Sequence, residues 1–259
     1  MDANDVKSRV QQQFGAAAER YVTSVGHAQG ADLQRMVELA GLRGDERVLD
    51  IATGGGHTAL AFAPLVRAVV ASDMTAPMLA AAERFIRNQG ATNVSFELAD
   101  AEALSFADAS FDVITVRIAP HHFPHPARFI SEVARVLRPG GTFVFNDNVA
   151  PEDDELAVFI NRVEQWRDPS HVRSLPASEW VALIQATGMQ VAHIEAGLPK
   201  SFTFTPWIER MAMPPEERAA LECWMIAAPA RVRDAFAIKT ADNHVVSFRS
   251  DFAIIVAHR

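Results

Sequence analysis

The stretch Val48–Phe62, VLDIATGGGHTALAF, constrains this chain more than any other. An apolar run of strand character passes through Gly54, Gly55 and Gly56 into an Ala-rich helical pattern. Such a unit belongs at the carboxyl edge of a parallel sheet, where bare backbone lets a ligand come close. Gly54, Gly56 and Ala59 also satisfy G-x-G-x-x-A. On that motif alone nicotinamide, flavin and adenosylmethionine sites stay open, and so does a tight turn with no ligand.

The surrounding chain repeats the alternation of strand and helix periods. Helices are expected from Asp5 to Val22 and from Ala31 to Ala40, the second ended by Gly41. Strand RVLDIA and a helix from His57 to Val66 follow, then strand AVVAS, a helix from Ala76 to Asn88, strand VSFEL and a short helix near Glu102. Strand DVITVRI, a helix from Ala127 to Leu137 closed by Arg138, Pro139, Gly140 and Gly141, and strand TFVFND complete the repeat. Beyond Pro151 an acidic stretch opens a helix through Glu164 with Leu156, Phe159, Ile160 and Val163 on one face. The connector RDPSHVRSLPASEW carries His171, Arg173 and Trp180, and Ser178 is expected to cap a helix ending near Gly188. Strand QVAHIEA, a helical insertion from Lys200 to Asp234 and the pair FAIKT and VVSFRSDFAIIVAHR around the turn ADN end the chain. The fold class is α/β: a doubly wound, mostly parallel sheet with an antiparallel C-terminal hairpin and a helical lid. Residues 1–45 read as a helical cover, 46–150 as the ligand-binding core, and 151–259 as the rest of the sheet with insertions at about 151–175 and 200–235.

Composition narrows the partner. The net charge of −8 is spread along 259 residues with no block of Lys and Arg, which speaks against nucleic acid and for a small molecule. No run of about 18 apolar residues marks a membrane span, and MDANDVKSRVQQQ lacks the apolar core of a signal peptide, so the cytoplasm is expected. The single Cys223 rules out an internal disulfide and a multi-cysteine zinc site. Monomer and homodimer both stay open.

Three acidic sites follow three successive strands. Asp50 would repel a dinucleotide pyrophosphate but attract the ammonium and sulfonium of S-adenosyl-L-methionine. Asp73 stands about twenty residues past the glycine loop, where a carboxylate accepts bonds from ribose hydroxyls. Asp100-Ala101-Glu102 either takes a bond from an adenine amino group or is simply an acidic helix start.

With these residues in place, the chain resembles the class I S-adenosylmethionine-dependent methyltransferases, in particular the Methyltransferase 11 type bacterial branch similar to ubiquinone/menaquinone biosynthesis C-methyltransferases. The resemblance runs from about Phe14 to the C-terminus. The family's D/E-x-G-x-G-x-G is matched by Asp50, Thr53, Gly54, Gly55 and Gly56, with Ala52 in place of the first glycine, a change that asks residue 52 to avoid positive φ. SDMTAPML, ADAEALSF, FDVITVRIAPHHF and EVARVLRPGGTFVF match as well. The resemblance implies a Rossmann-like seven-stranded sheet, S-adenosyl-L-methionine as cofactor with S-adenosyl-L-homocysteine as product, and a small-molecule methyl acceptor. It places Met74 and Met78 beside the adenine, His57 among the cofactor-binding positions, and Tyr21 either over the cofactor or packed against the first helices.

The loop APHHFPHP then falls at the ligand edge, so Arg117, Ile118, His121 and His122 are expected to border the methyl group and the acceptor. Histidine suits proton transfer near neutral pH. His121 is the better base of the pair if either serves, because related sequences use a residue matching His122 structurally; pocket lining or loop packing is the alternative for both. Adjacent histidines do not converge on one ion, so no metal is expected. His125 reads as a cap or surface group, and His171 and Arg173 either orient an acceptor oxygen or form a surface pair. Phe202, Phe204, Trp207, Met211, Met213 and Trp224 either line a flat pocket for an aromatic or heterocyclic acceptor or pack as core.

Overall fold

The structure, a computed structural model, describes residues 3–22, 30–211 and 213–259, without the side chains of residues 16, 17 and 19–21. Its strands are β1 (Arg47–Ile51), β2 (Ala68–Asp73), β3 (Val94–Leu98), β4 (Phe111–Arg117), β5 (Leu137–Val149), β6 (Gln190–Thr203), β7 (Lys239–Ala241) and β8 (His244–His258). Helices α1 (Ala3–Val22), α2 (Ala31–Leu39), α3 (His57–Phe62), α4 (Ala76–Asn88) and α5 (Pro126–Val136) belong to the first half. Helices α6 (Asp154–Arg167), α7 (Ala177–Ala186), α8 (Phe204–Glu209), α9 (Pro215–Ile226) and α10 (Ala230–Ala235) belong to the second.

Seven strands lie in the order β3-β2-β1-β4-β5-β8-β6, and β7 adds an eighth by pairing with β8. The first five are parallel, and β8 runs antiparallel between β5 and β6. The antiparallel ending is therefore as expected. Strand order reverses between β1 and β4, which leaves a crevice at their carboxyl ends. Burial on both faces explains why β1, β2 and β4 read as continuous apolar runs rather than alternating ones. Leu49, Ile51, Ile114 and Val116 pack under Phe129 and Val133 of α5 and Trp180 of α7. Val48, Val69 and Val113 pack on the other side under Met36 of α2, Phe62 of α3 and Ile86 of α4. Phe159, Ile160 and Val163 of α6 join Trp207, Leu221, Met225 and Phe236 in a separate cluster beneath the insertion helices.

Three local expectations change. Residues 100–103 form a tight turn, not a helix, closed by Ala103 N–H to the Asp100 carbonyl at 3.0 Å and by Glu102 N–H to Asp100 Oδ1 at 2.9 Å. Ser178 does not cap α7: Pro176 is the N-cap, and Glu152 accepts both the Ser178 N–H (3.2 Å) and its hydroxyl (2.5 Å). A carboxylate from another segment thus satisfies the helix start that a serine was expected to serve. Strand β6 extends beyond QVAHIEA to Thr203, because it pairs with β8 along its length around an irregularity between Glu195 and Leu198. Lys200 is consequently a strand residue, and the helical insertion begins at Phe204.

The turn leaving β1 departs from expectation too. Ala52 has φ 53°, in the left-handed region it was expected to avoid, while Gly54 and Gly56 have φ 54° and 84°. The Thr53 N–H bonds the Ser72 carbonyl at 2.8 Å, so pairing to β2 imposes the bend despite the methyl group. A Cβ on Gly56 would lie 2.8 Å from Ile86 Cδ1. Ala52→Gly is therefore expected to raise unfolding free energy by about 1 kcal/mol, and Gly56→Ala to lower it by roughly 2 kcal/mol or more. Denaturant midpoints at unchanged m-value measure both.

Candidate active site

A cavity opens where β1, β2 and β4 end, and α1 closes it from above. Ala52, Thr53, Gly54, His57, Asp73, Met74, Met78, Asp100, Ala101, Glu102, Arg117 and Ile118 all line it. Asp73 holds the floor: one carboxylate oxygen accepts the Gly54 N–H (3.0 Å) and the other the Thr75 N–H (2.9 Å). Burial lifts its pKa above the ordinary carboxylate value despite these bonds. The Thr75 hydroxyl and the Met74 backbone bond the same carboxylate.

Asp50 and Gly56 are absent from the lining, which corrects the expectation that Asp50 meets a ligand directly. The Asp50 carboxylate is sealed behind the glycine loop, accepting the hydroxyls of Thr53 (2.6 Å) and Thr115 (2.8 Å). Burial pushes its pKa up to about 6. Its role is to shape the loop and to place a titrating charge behind it.

At the far wall, Lys7 of α1 bridges Asp100 (2.6 Å) and Glu102 (2.7 Å). Glu102 Oε1 also accepts the His125 N–H at 2.5 Å, so His125 contributes its backbone here. Sequence reading missed Lys7, because a lysine on an exposed helix resembles any solvated charge. The side chain of Tyr21 lies outside the described residues.

The loop after β4 is held under strain. Ile118 has φ 52°, a genuine outlier for a β-branched residue, and its N–H bonds the Asn146 carbonyl at 2.9 Å. Arg117 pairs with Asp32 at 2.6 Å. His121 is gripped twice by the buried Asp147, which accepts its backbone N–H on Oδ2 and its Nδ1–H on Oδ1, both at 2.7 Å. That fixes the tautomer, leaving Nε2 as the basic nitrogen. Burial disfavours a charged ring, but Asp147, with Glu164 and Asp168 farther off, holds the His121 pKa above its ordinary value.

His122 donates Nδ1–H to the Ser170 carbonyl at 3.0 Å and meets the Phe14 ring edge-on, with centroids 5.1 Å apart. Burial and the neighbouring charge of His121 push its pKa down to about 3. His171 is buried 5.4 Å from the His121 ring, and its Nε2 donates to Asn161 Oδ1 at 2.9 Å. Burial and its histidine neighbours hold it well below the usual value. Neither cavity is lined by His171 or Arg173. Arg173 is corrected to a surface residue, paired with Glu179 at 2.8 Å, because its half-exposed side chain leaves the fold there.

A second cavity continues from the first. Phe14, Ile118 and His122 line both, while His121, Asp168, Lys200, Phe202, Trp207 and Met211 belong to the second. Of the aromatic and Met-rich candidates, Phe204 is core, Trp224 stacks on Phe159, and Met213 packs at the edge of the insertion cluster. Among the described residues no group of three or more His, Cys, Asp or Glu side chains is arranged to hold a metal. No helix among them is long and apolar enough to cross a membrane.

Known proteins are similar to this chain in sequence and fold. A family model described as a methyltransferase domain matches residues 49–145. The chain is 39% identical over 231 residues to YcgJ of Bacillus subtilis, an uncharacterized methyltransferase, covering 89% of this chain and 90% of that one. The crystal structure of YcgJ superposes with a TM-score of 0.86 at 36% identity, covering 89% of this chain and 99% of that one. The ubiquinone/menaquinone biosynthesis C-methyltransferase UbiE of Pseudomonas aeruginosa is 37% identical over 125 residues, covering 47% of this chain and 49% of its own. The sequence, the sheet order and these relatives agree that the chain belongs to the S-adenosylmethionine-dependent methyltransferases.

Proposed function

We propose that this enzyme binds S-adenosylmethionine in the first cavity and methylates an oxygen, nitrogen or carbon of a small aromatic or heterocyclic metabolite held in the second. The observation that supports the reading best is the shared wall of Phe14, Ile118 and His122, beside which His121, held by the buried Asp147, lines the second cavity. When bound, S-adenosylmethionine supplies an electrophilic methyl group on a sulfonium sulfur and leaves as S-adenosylhomocysteine.

The residues present fit that group. Asp73 lines the cavity at the end of β2, where a carboxylate accepts a ribose hydroxyl, and the positive-φ turn at Gly54 exposes bare backbone. Met74, Met78 and Ala101 offer an apolar slot for a flat base, with Asp100 and Glu102 at its rim. Asp50 favours a cationic ligand through its charge behind the loop. Residues 1–45 then act as the cover, 46–150 as the cofactor-binding core, and the insertions within 151–259 as the acceptor-binding part. Arg117 and Ile118 position the loop that separates the two ligands.

His121 accepts, at Nε2, the proton released by an acceptor hydroxyl or acidic N–H, and Asp147 stabilises the resulting imidazolium. Positioning across the shared wall supplies the rest. His122 and His171 stay neutral, since a second charge beside His121 is disfavoured.

Turnover of labelled S-adenosylmethionine against a panel of phenols, quinols and N-heterocycles tests the reading, and cofactor binding without transfer to any acceptor counts against it. With an acceptor in hand, His121→Gln is expected to lower kcat by about 10²–10⁴-fold at unchanged cofactor affinity. The rate of the wild type should rise with pH along a limb above the ordinary histidine value of 6.5, because His121 must lose its proton to act. That limb should vanish in His121→Gln and persist in His122→Gln.

A stability test addresses Asp50. Its folded pKa of about 6 exceeds the model-compound value of 3.8, so the carboxyl stabilises the free enzyme below that lower value and loses roughly 3 kcal/mol as pH rises through 6. Asp50→Asn should accordingly raise the Tm of the ligand-free enzyme at pH 8 and not at pH 4, while weakening S-adenosylhomocysteine binding measured by calorimetry.

A further inference from the structure

A lysine ammonium lines the second cavity. Lys200 stands on β6 opposite Ser250 of β8, half-buried, with its Nζ 4.7 Å from the ring centroid of Phe252 and 5.8 Å from that of Phe202. Both rings line the cavity with it. Among the described residues no hydrogen bond or ion pair reaches this ammonium. Asp32, the acidic group that attracts it, is already engaged by Arg117 at 2.6 Å. Burial, with Arg117 and Arg210 nearby, lowers the Lys200 pKa.

The other charges around the cavity have partners. Glu164 pairs with Arg167 at 3.2 Å, and Arg167 lies over the Trp207 ring at 4.4 Å. Asp168 accepts the Ser170 N–H (2.9 Å) and hydroxyl (2.5 Å). A half-buried ammonium held only by aromatic faces is costly unless a counter-charge arrives with a ligand. Two carboxylates already border the space, so a single negative charge suits it better than a phosphate dianion.

We propose that Lys200 determines acceptor specificity, and that the acceptor is an aromatic carboxylic acid whose carboxylate pairs with the Lys200 ammonium while its ring lies against Phe202, Trp207 and Phe252. This rests on the second cavity being the acceptor site. It narrows the acceptor from any flat metabolite to one carrying an acid.

The test is a binding titration of the full chain saturated with S-adenosylhomocysteine, using 3- and 4-hydroxybenzoate and the matching hydroxybenzamides, followed by calorimetry. The wild type is expected to bind an acid at least ~10-fold more tightly than its amide. The gap should close in Lys200→Met, which keeps the packed stem, and largely return in Lys200→Arg. Parity of acid and amide in the wild type, including no binding of either, overturns the proposal. So does a gap that survives Lys200→Met. If Lys200→Met does not fold, the wild-type comparison and its loss at high salt decide alone. Failure of S-adenosylhomocysteine to bind in the first step would instead count against the cofactor reading, so the two failures are distinguishable.

Discussion

The buried carboxylate of Asp50 is the joint on which the ligand edge depends. It accepts one hydroxyl from Thr53 on the glycine loop and one from Thr115 in the middle of β4. The two strands flanking the topological switch are thereby tied at a point just behind the cavity. One carboxylate thus fixes both the loop that borders the first cavity and the strand that leads to the histidines. Its cost is a charge held out of water, visible in a pKa raised to about 6.

Strain accumulates on both sides of this joint. Ala52 leaves β1 and Ile118 leaves β4 with φ of 53° and 52°, where L-residues are disfavoured. Each is held by a backbone bond from its own loop to a neighbouring strand: Thr53 N–H to Ser72, and Ile118 N–H to Asn146. The sheet therefore over-determines both turns. Ala52 lines the first cavity and Ile118 lines both, so two of the chain's left-handed non-glycine residues border the site.

The three clustered histidines His121, His122 and His171 divide one charge among them. Asp147 grips His121 at two points, so that ring takes the proton, and its charge then keeps His122 and His171 neutral. Neutral rings can serve as fixed donors: His122 to Ser170 holds the connector after α6 against the loop after β4, and His171 to Asn161 ties that connector back to α6. The dense run of histidines is thus one basic group with two braces, an arrangement that needs only one carboxylate.

The sequence by itself determined the alternation of strands and helices, the placement of Gly54, Asp73 and Asp100 at successive strand ends, and the antiparallel finish. Those features depend on local periodicity, turn chemistry and residue type, all of which are written within a few neighbours. It did not reveal that Asp50 faces away from the cavity, that Arg173 leaves for the surface, or that Ala52 accepts a left-handed turn. Lys7 and Lys200 were equally invisible, since a lysine is read as solvated until another segment covers it. Those facts depend on contacts made far along the chain: Lys7 with Asp100, Asp50 with Thr115, Lys200 with Phe252. Only the tertiary structure decided them, because burial and pairing are properties of what arrives opposite a side chain, not of the residues beside it.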